Sequence, residues 1–345
     1  MWNYIFVIGS YLFSIFHSLQ STSYRSKKNR DLYWFVIFAL ILFVTFRDGS
    51  SLNDYDGYVS LYSSVNRIVI EPAFLLIREV ARCGGNIYLM FFLYALIGIG
   101  TKGIAINNIT QLKFLTLCVY ISNILILHDM TQMRAGVASG LFLLALPYLK
   151  DRKILKYITL ISIATLFHYS AILFLFCCIF WVKKLATNKV FLWSIIPLGY
   201  LLGGTIVDPS LIPFEPLRLK LEMYQKLNES GTDGYTSLNL FNPYIIFRII
   251  LYYIILWKSS LIINKTPYFN VLIFIESIAI FVFPFLSFIP ILGYRGSELL
   301  GVVEILLYPL MIYCFKPRLY GKICVIGISL LLLIVNLTYK ALIKI

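Results

Sequence analysis

Residues 154–182 read ILKYITLISIATLFHYSAILFLFCCIFWV, and the number of times this run crosses a membrane decides the topology of the chain. One helical crossing needs about 20 apolar residues, so the run is long for one pass and short for two full ones. Its flanks decide. Lys150, Arg152, Lys153 and Lys156 stand at its start, and Lys183, Lys184 and Lys189 come after it. Positive residues collect in cytoplasmic loops, which puts both ends of the run on one side. The run is therefore expected to be a pair of short helices, out and back, broken around LFHYSA with His168 near the outer face. Irregular backbone at that depth is tolerated where it lines a cavity.

Working outward, further apolar runs fall near 2–19, 32–46, 87–106, 112–127, 135–149, 190–207, 243–263, 268–292, 299–315 and 320–339. With 154–182 as a pair, this predicts about 11–12 transmembrane helices in one all-α polytopic domain over residues 1–345, with outer loops 47–86 and 208–242. The second run is short, with room to extend into residues 46–62. The first run, without basic residues ahead of it, is expected to be a retained span. Arg25, Lys27, Lys28 and Arg30, then Lys102 with Lys113, Lys258 with Lys265, and Lys316, Arg318 and Lys322 are assigned to the cytoplasmic face. Residues 128–134 form an outer connector on this scheme, and both termini lie outside.

Composition agrees: 60% of the 345 residues are hydrophobic and 13% charged, more apolar surface than a soluble core of this length hides. The net charge of +14 is accounted for by membrane orientation, not by nucleic acid. The chain lacks a phosphate-binding glycine loop, and its cysteines lack metal or redox spacing. They read as packing residues, and no cofactor or metal is expected.

Lysine dominates the inner connectors, whereas Arg47, Arg67, Arg78, Arg82, Arg134, Arg218, Arg248 and Arg295 fall on the outer side with most of the acids; Glu276 and Glu304 lie within apolar runs. Orientation needs only charge, but the planar guanidinium fork suits phosphate and carboxylate, so the outer face reads as an anion-handling surface. Residues 46–62, FRDGSSLNDYDGYVSLY, place Arg47, Asp54 and Asp56 at the membrane edge, where charges are paired and purposeful. Tyr55, Tyr58 and Tyr62 suit either an interfacial belt or stacking on sugar rings. EPAFLLIREVA (71–81) reads as an amphipathic helix along the membrane surface with Leu75, Leu76, Ile77 and Val80 on its apolar face. Its Arg78 and Glu79, and Arg67 before it, read as solvated. In 127–149, LHDMTQMRAGVASGLFLLALPYL, Gln132 and Arg134 open a helix whose Gly136, Ser139 and Gly140 allow close packing. Arg295, in GYRGSELL (293–300), joins Arg47, Arg134 and His168 at one membrane level. Loop 208–242 reads as a lid or a passive loop.

RDGSSLNDYDGY (47–58) resembles the R-x-x-G-x-D-Y-x-x-Y pattern of the EpsG/Wzy-type polysaccharide polymerases, and EPAFLLI (71–77) their E-P-x-x-x-x-L. MTQMRAGVASGLFLLALPYL (130–149) is similar to that family's Q-x-R-x-x-[IV]-A helix, LFHYSA (166–171) to its F-H-x-[ST]-A, and GYRGSEL (293–299) to its late arginine. The ordered set implies a bacterial inner-membrane glycosyltransferase of GT-C-like fold. It would join undecaprenyl-diphosphate-linked repeat units, as donor and acceptor, into O-antigen, capsule or exopolysaccharide on the periplasmic face, with a chain-length regulator and a flippase as partners. The family's Gly-Asp-Tyr is spread here over Gly49 to Tyr55, leaving the matching acid open among Asp48, Asp54 and Asp56. Arg47, Arg134 and Arg295 are the candidates for holding the diphosphate. Asp54, Asp56 or His168 would serve as base, with Tyr55, Tyr58 and Gln132 beside the substrate. The rival readings are a lipid-linked oligosaccharide flippase, an O-antigen ligase using the same donor, and a chain-length co-regulator without chemistry. Acids crowded on one side disfavour the flippase.

Overall fold

The computed structural model describes residues 1–20, 27–64, 70–181, 186–203 and 238–343, with scattered positions between 215 and 230. Arg67 and most of loop 208–242, with its expected lid, lie outside the described residues. With no water in the bilayer core, a spanning backbone must satisfy its own hydrogen bonds, which leaves helices as the solution for these apolar runs. They are α1 (Trp2–Gln20), α2 (Lys27–Thr45), α3 (Tyr55–Ser63), α4 (Pro72–Cys83), α5 (Ile87–Ile109), α6 (Lys113–Thr131), α7 (Met133–Lys150), α8 (Ile154–Phe167), α9 (Tyr169–Trp181, wound with 3₁₀ pitch), α10 (Lys189–Leu202), α11 (Pro243–Trp257), α12 (Phe269–Phe285), α13 (Pro290–Cys314) and α14 (Arg318–Tyr339). Among them α5, α6, α13 and α14 are long and apolar enough to cross a membrane, and α8 to α12 are shorter apolar helices. The chain is an all-α polytopic membrane protein. Asparagines start several helices: the side chains of Asn86, Asn188 and Asn242 accept from Tyr88, Val190 and Ile245 N–H, satisfying donors the helix itself leaves open.

The run 154–182 is the expected hairpin. α8 ends where His168 turns extended, at φ −154° and ψ 113°, and α9 returns. Trp181 Nε1 donates to Leu149 O at 2.8 Å and Arg152 to Trp181 O at 3.0 Å, bringing the end of the run back to its beginning. Inside the hairpin Tyr157 donates to Phe174 O at 2.6 Å, and Phe174 stacks on Phe142 of α7 at 3.8 Å.

The lysine-bearing connectors gather at one end of the bundle. Lys322 donates to Leu19 O at 3.3 Å, Ser18, Asn29, Gln111, Lys113 and Lys322 share one recess, and Lys150 lies 5.0 Å over the Tyr268 ring. At the opposite end Asn3 donates to Asp48 O and to Ser51 Oγ, both at 2.8 Å, and Tyr4 to Ile343 O at 2.7 Å. The N-terminus, residues 46–52 and the C-terminal segment thus share the end that holds the arginines.

Several expectations need correction. α2 does not run into the 46–62 stretch; it lengthens at the other end, taking in Lys28, Arg30 and Asp31. Residues 128–131 are not a connector: α6 continues through them as a π-helix from Tyr120, with His128 and Asp129 buried. Lys102 is not in a loop either. It is fully buried in α5, 2.8 Å from Asp129 and donating to Gly136 O at 2.6 Å, while Tyr120 donates to Asp129 at 2.8 Å. A lysine in apolar surroundings persists when a carboxylate neutralises it, and Asp129 does so from the next spanning helix. Space for the pair comes from glycine, since a Cβ at Gly98 or Gly136 would stand 2.9 Å from Asp129 Oδ1. At Gly140 a Cβ would stand 2.1 Å from Thr101 Oγ1, so the expected close packing of α7 is realised against α5. Lys102→Met is expected to destabilise the protein by roughly 3–5 kcal/mol, the usual cost of stranding one member of a buried ion pair. Lys102→Met with Asp129→Asn should recover most of it, because Asn still accepts from Tyr120. Thermal unfolding in detergent measures both.

α4 forms where expected, with Pro72 in its first turn, but buries Phe74, Ile77, Arg78 and Ala81 against the bundle and leaves Leu76 and Val80 exposed. Arg78 is therefore not solvated. It donates to Glu79 Oε1 at 2.9 Å and Ser64 O at 3.1 Å, and Arg82 donates to Tyr62 O at 2.9 Å. Both arginines tie the end of α3 to α4.

Candidate active site at the arginine-bearing end

The site starts at the turn after α2. Asp48 is committed to that turn: its carboxylate accepts from Ser50 N at 3.1 Å and Ser50 Oγ at 2.7 Å. Residue 49 must be glycine because a Cβ there would fall 2.3 Å from the Tyr55 ring. Gly49→Val is expected to push Tyr55 out and cost about 1–3 kcal/mol, as overpacking does, read as a lower melting temperature. Arg47 is buried, with its Cζ 4.6 Å from the Phe91 ring and 5.8 Å from the Tyr55 ring. Its Nη1 donates to Val44 O at 2.6 Å, while Nε and Nη2 have no hydrogen-bond partner among the described residues. Burial pushes the guanidinium down to about 10, against the opposing fields of Tyr58, Tyr55 and Asp129, so it stays cationic at neutral pH.

Asp54 occupies the N-cap position of α3 without making a capping bond, which leaves its carboxylate available. Burial raises its pKa above the ordinary carboxylate value, and the charges of Arg295 and Arg134 pull it back in part. The residue nevertheless keeps solvent-exposed surface. Asp56, two residues along in α3, is exposed and has no ion pair among the described residues.

Arg134, at the start of α7, has its Cζ 5.6 Å from the Tyr58 ring and 5.7 Å from the Phe74 ring, and pairs through Nη1 with Glu71 Oε2. Glu71, fully buried at the N-cap of α4, places its other oxygen 3.5 Å from His168 Nδ1. The chain break at His168 is fixed against the same segment by Tyr169, which donates to Ile70 O at 3.3 Å. Tyr55 and Tyr58 thus lie beside arginines. Gln132 is half-buried at the joint between α6 and α7, and Arg295 is half-buried in α13.

Deeper in the bundle Lys340 bonds Glu298 at 2.7 Å and lies 4.0 Å from the Tyr244 ring. Beside them Arg248, expected on the anion-handling surface, is fully buried instead. It holds Glu304 at 2.5 Å, Glu276 at 3.1 Å and Ser297 at 2.8 Å. Asn123 donates to Glu304 at 3.1 Å, and Asn336 to Asn123 at 3.1 Å. Gly301 makes this possible, since a Cβ there would stand 2.6 Å from Arg248 Nη2. Two glutamates inside apolar runs are the sequence signal, because ionisable groups in a span seek a partner.

Of the residues singled out from sequence, Arg134 and Arg295 act on Asp54, and Arg134 and His168 meet through Glu71. Arg47 neighbours Tyr55, and Asp56 stands apart. In sequence Glu71 reads only as the start of a surface helix. Its place before Pro72 is the available signal, since an acid at a helix start has both a capping site and a favourable dipole.

The fold and this cluster define the class: a polytopic helical membrane protein with arginines, carboxylates and a histidine gathered at one end. A family model, the EpsG family, matches residues 32–344, nearly the whole chain, and the protein belongs to that family. With it goes a polysaccharide-polymerase type of function. No curated protein and no solved structure matches the chain.

Proposed function

We propose that the protein is a bacterial inner-membrane polymerase that joins undecaprenyl-diphosphate-linked oligosaccharide repeat units on the periplasmic face. The observation that carries this reading is the cluster in which Arg134 pairs with the buried carboxylate of Glu71 while His168 stands against that carboxylate's other oxygen, with Asp54 within the field of Arg134 and Arg295. Among the described residues the lysine-bearing connectors lie at the far end of the bundle, and positive residues favour the cytoplasm, which would turn the arginine-bearing end outward.

In the reaction an acceptor sugar hydroxyl attacks the anomeric carbon of the donor's first sugar. The new C–O bond forms as the bond to the diphosphate breaks, and the configuration inverts. The hydroxyl proton passes to Asp54, and the leaving diphosphate carries the electron pair away as undecaprenyl diphosphate. Its charge develops against the guanidinium groups of Arg134, Arg295 and Arg47, so that fixed cations stabilise it without a metal. Tyr55, Tyr58 and Gln132 border the path of the sugars, and His168 steadies Glu71.

Purified protein in proteoliposomes with its lipid-linked repeat unit is expected to give a polymer ladder. Movement of the intact lipid across the bilayer without elongation would establish a transporter instead, and transfer only to a lipid A–core acceptor would establish a ligase.

A further inference from the structure

Along the outside of the bundle α1 and α2 leave between them a groove of about 340 Å³, a volume within the roughly 300–1,000 Å³ range of ligand clefts. Its walls are apolar: Trp2, Ile5, Phe6 and Gly9 on one side, Ala39 and Leu40 on the other. A side chain on Gly9 would meet nothing within 4 Å, so the notch is empty space and not a packing contact. At its outer end the groove approaches the turn that carries Arg47 and Asp48. Asn3, next to Trp2, donates to Asp48 O and Ser51 Oγ, Phe6 stacks on Phe43 at 3.8 Å, and α2 stops at Thr45, two residues before Arg47. Arg134 and Arg248 are each paired with carboxylates, but among the described residues Arg47 has no carboxylate partner and keeps two buried nitrogens without a hydrogen bond.

We propose that this groove seats the polyprenyl chain of the lipid-linked substrate, with the diphosphate at its upper end reaching Arg47. The proposal rests on the polymerase reading for the identity of the lipid. An uncharged, lipid-facing groove suits a hydrocarbon chain. Beyond the groove's end, past the Asn3–Asp48 contact, a buried guanidinium with open donors suits the diphosphate, since unsatisfied buried donors are costly and charge-assisted bonds to phosphate are strong. The substrate would then enter sideways from the bilayer, keeping its chain in lipid-like surroundings while its head reaches the arginine-bearing end.

A polyprenyl diphosphate carrying a diazirine on the isoprenoid chain, photolysed with the full-length protein in nanodiscs, is the test. Labelling is expected within residues 2–13 and 35–40, suppressed by unlabelled undecaprenyl diphosphate but not by phosphatidylglycerol at the same concentration. Gly9→Phe fills the empty notch and should leave thermal stability unchanged while lowering labelling roughly tenfold, the effect of excluding about two methylenes from burial. Ala39→Leu, from the opposite wall, is the second variant should Gly9→Phe insert poorly. Labelling elsewhere, equal displacement by phosphatidylglycerol, or wild-type labelling in both variants would overturn the proposal. Wild-type elongation by Gly9→Phe would also overturn it while leaving the polymerase reading intact. Competed labelling of a protein that never elongates would do the reverse.

Discussion

Arg134→Ala is expected to abolish the polymer ladder, with a loss of at least about 10²–10³ in rate, the usual cost of removing one preorganised group that stabilises developing charge. The substitution has a second consequence that must be separated from the first. Glu71 is fully buried, and its carboxylate answers to Arg134. Removing one partner of a buried carboxylate costs up to roughly 3–5 kcal/mol, and here the figure is smaller because His168 remains 3.5 Å from Glu71 and Arg134, itself 24% exposed, leaves a path for water. Arg134→Ala combined with Glu71→Gln removes the stranded charge and should regain stability without regaining elongation. Arg134→Lys keeps the charge but loses the fork that grips Glu71 and a phosphate at once, and should fall between. Elongation at the wild-type rate in the alanine variant, measured on the purified lipid-linked substrate, would take Arg134 out of the clamp.

How far these residues are readable from sequence differs with the range of the interaction. The hairpin at 154–182 is legible because its cause is local: lysines at both ends of one run constrain where its middle lies, and the structure puts the break at His168. The same charge rule misplaces Lys102, because counting lysines in connectors cannot see Asp129, a partner 27 positions away on the next spanning helix. Arg248 is misread for the same reason. Its partners Glu276 and Glu304 sit in other spans, and a span shows its charge in sequence but not the charge it faces. Tyr55 and Tyr58 leave two readings open since an aromatic at a membrane edge looks alike in both, and sequence does not bring them together with the arginines that lie beside them, Arg134 from a distant segment among them. Glu71 is hidden by an ordinary local explanation, a helix start, which is true and incomplete.

Asp54 and Asp56, two residues apart in sequence, should behave as differently as their surroundings. Asp54→Asn is expected to lower elongation by about 10²–10⁴, the range for losing a positioned base. Asp56→Asn should stay near wild type, since it is Asp54 that lies under the fields of Arg295 and Arg134 at the start of α3. The pH dependence distinguishes a base from a merely structural acid. A base works deprotonated, so kcat/KM falls as pH drops through its pKa. Burial raises the Asp54 pKa above that of an ordinary carboxyl group, and the acid limb should therefore lie above the pH where free aspartate titrates. Arg295 and Arg134 hold that pKa down, so any residual activity of Arg134→Lys, which keeps the charge, should retain the limb, whereas residual activity of Arg134→Ala should show it moved to higher pH. His168→Gln should slow the reaction without moving the limb much, because His168 acts through Glu71. A limb that persists unchanged in Asp54→Asn would assign the proton transfer to another group, with His168 the next to test.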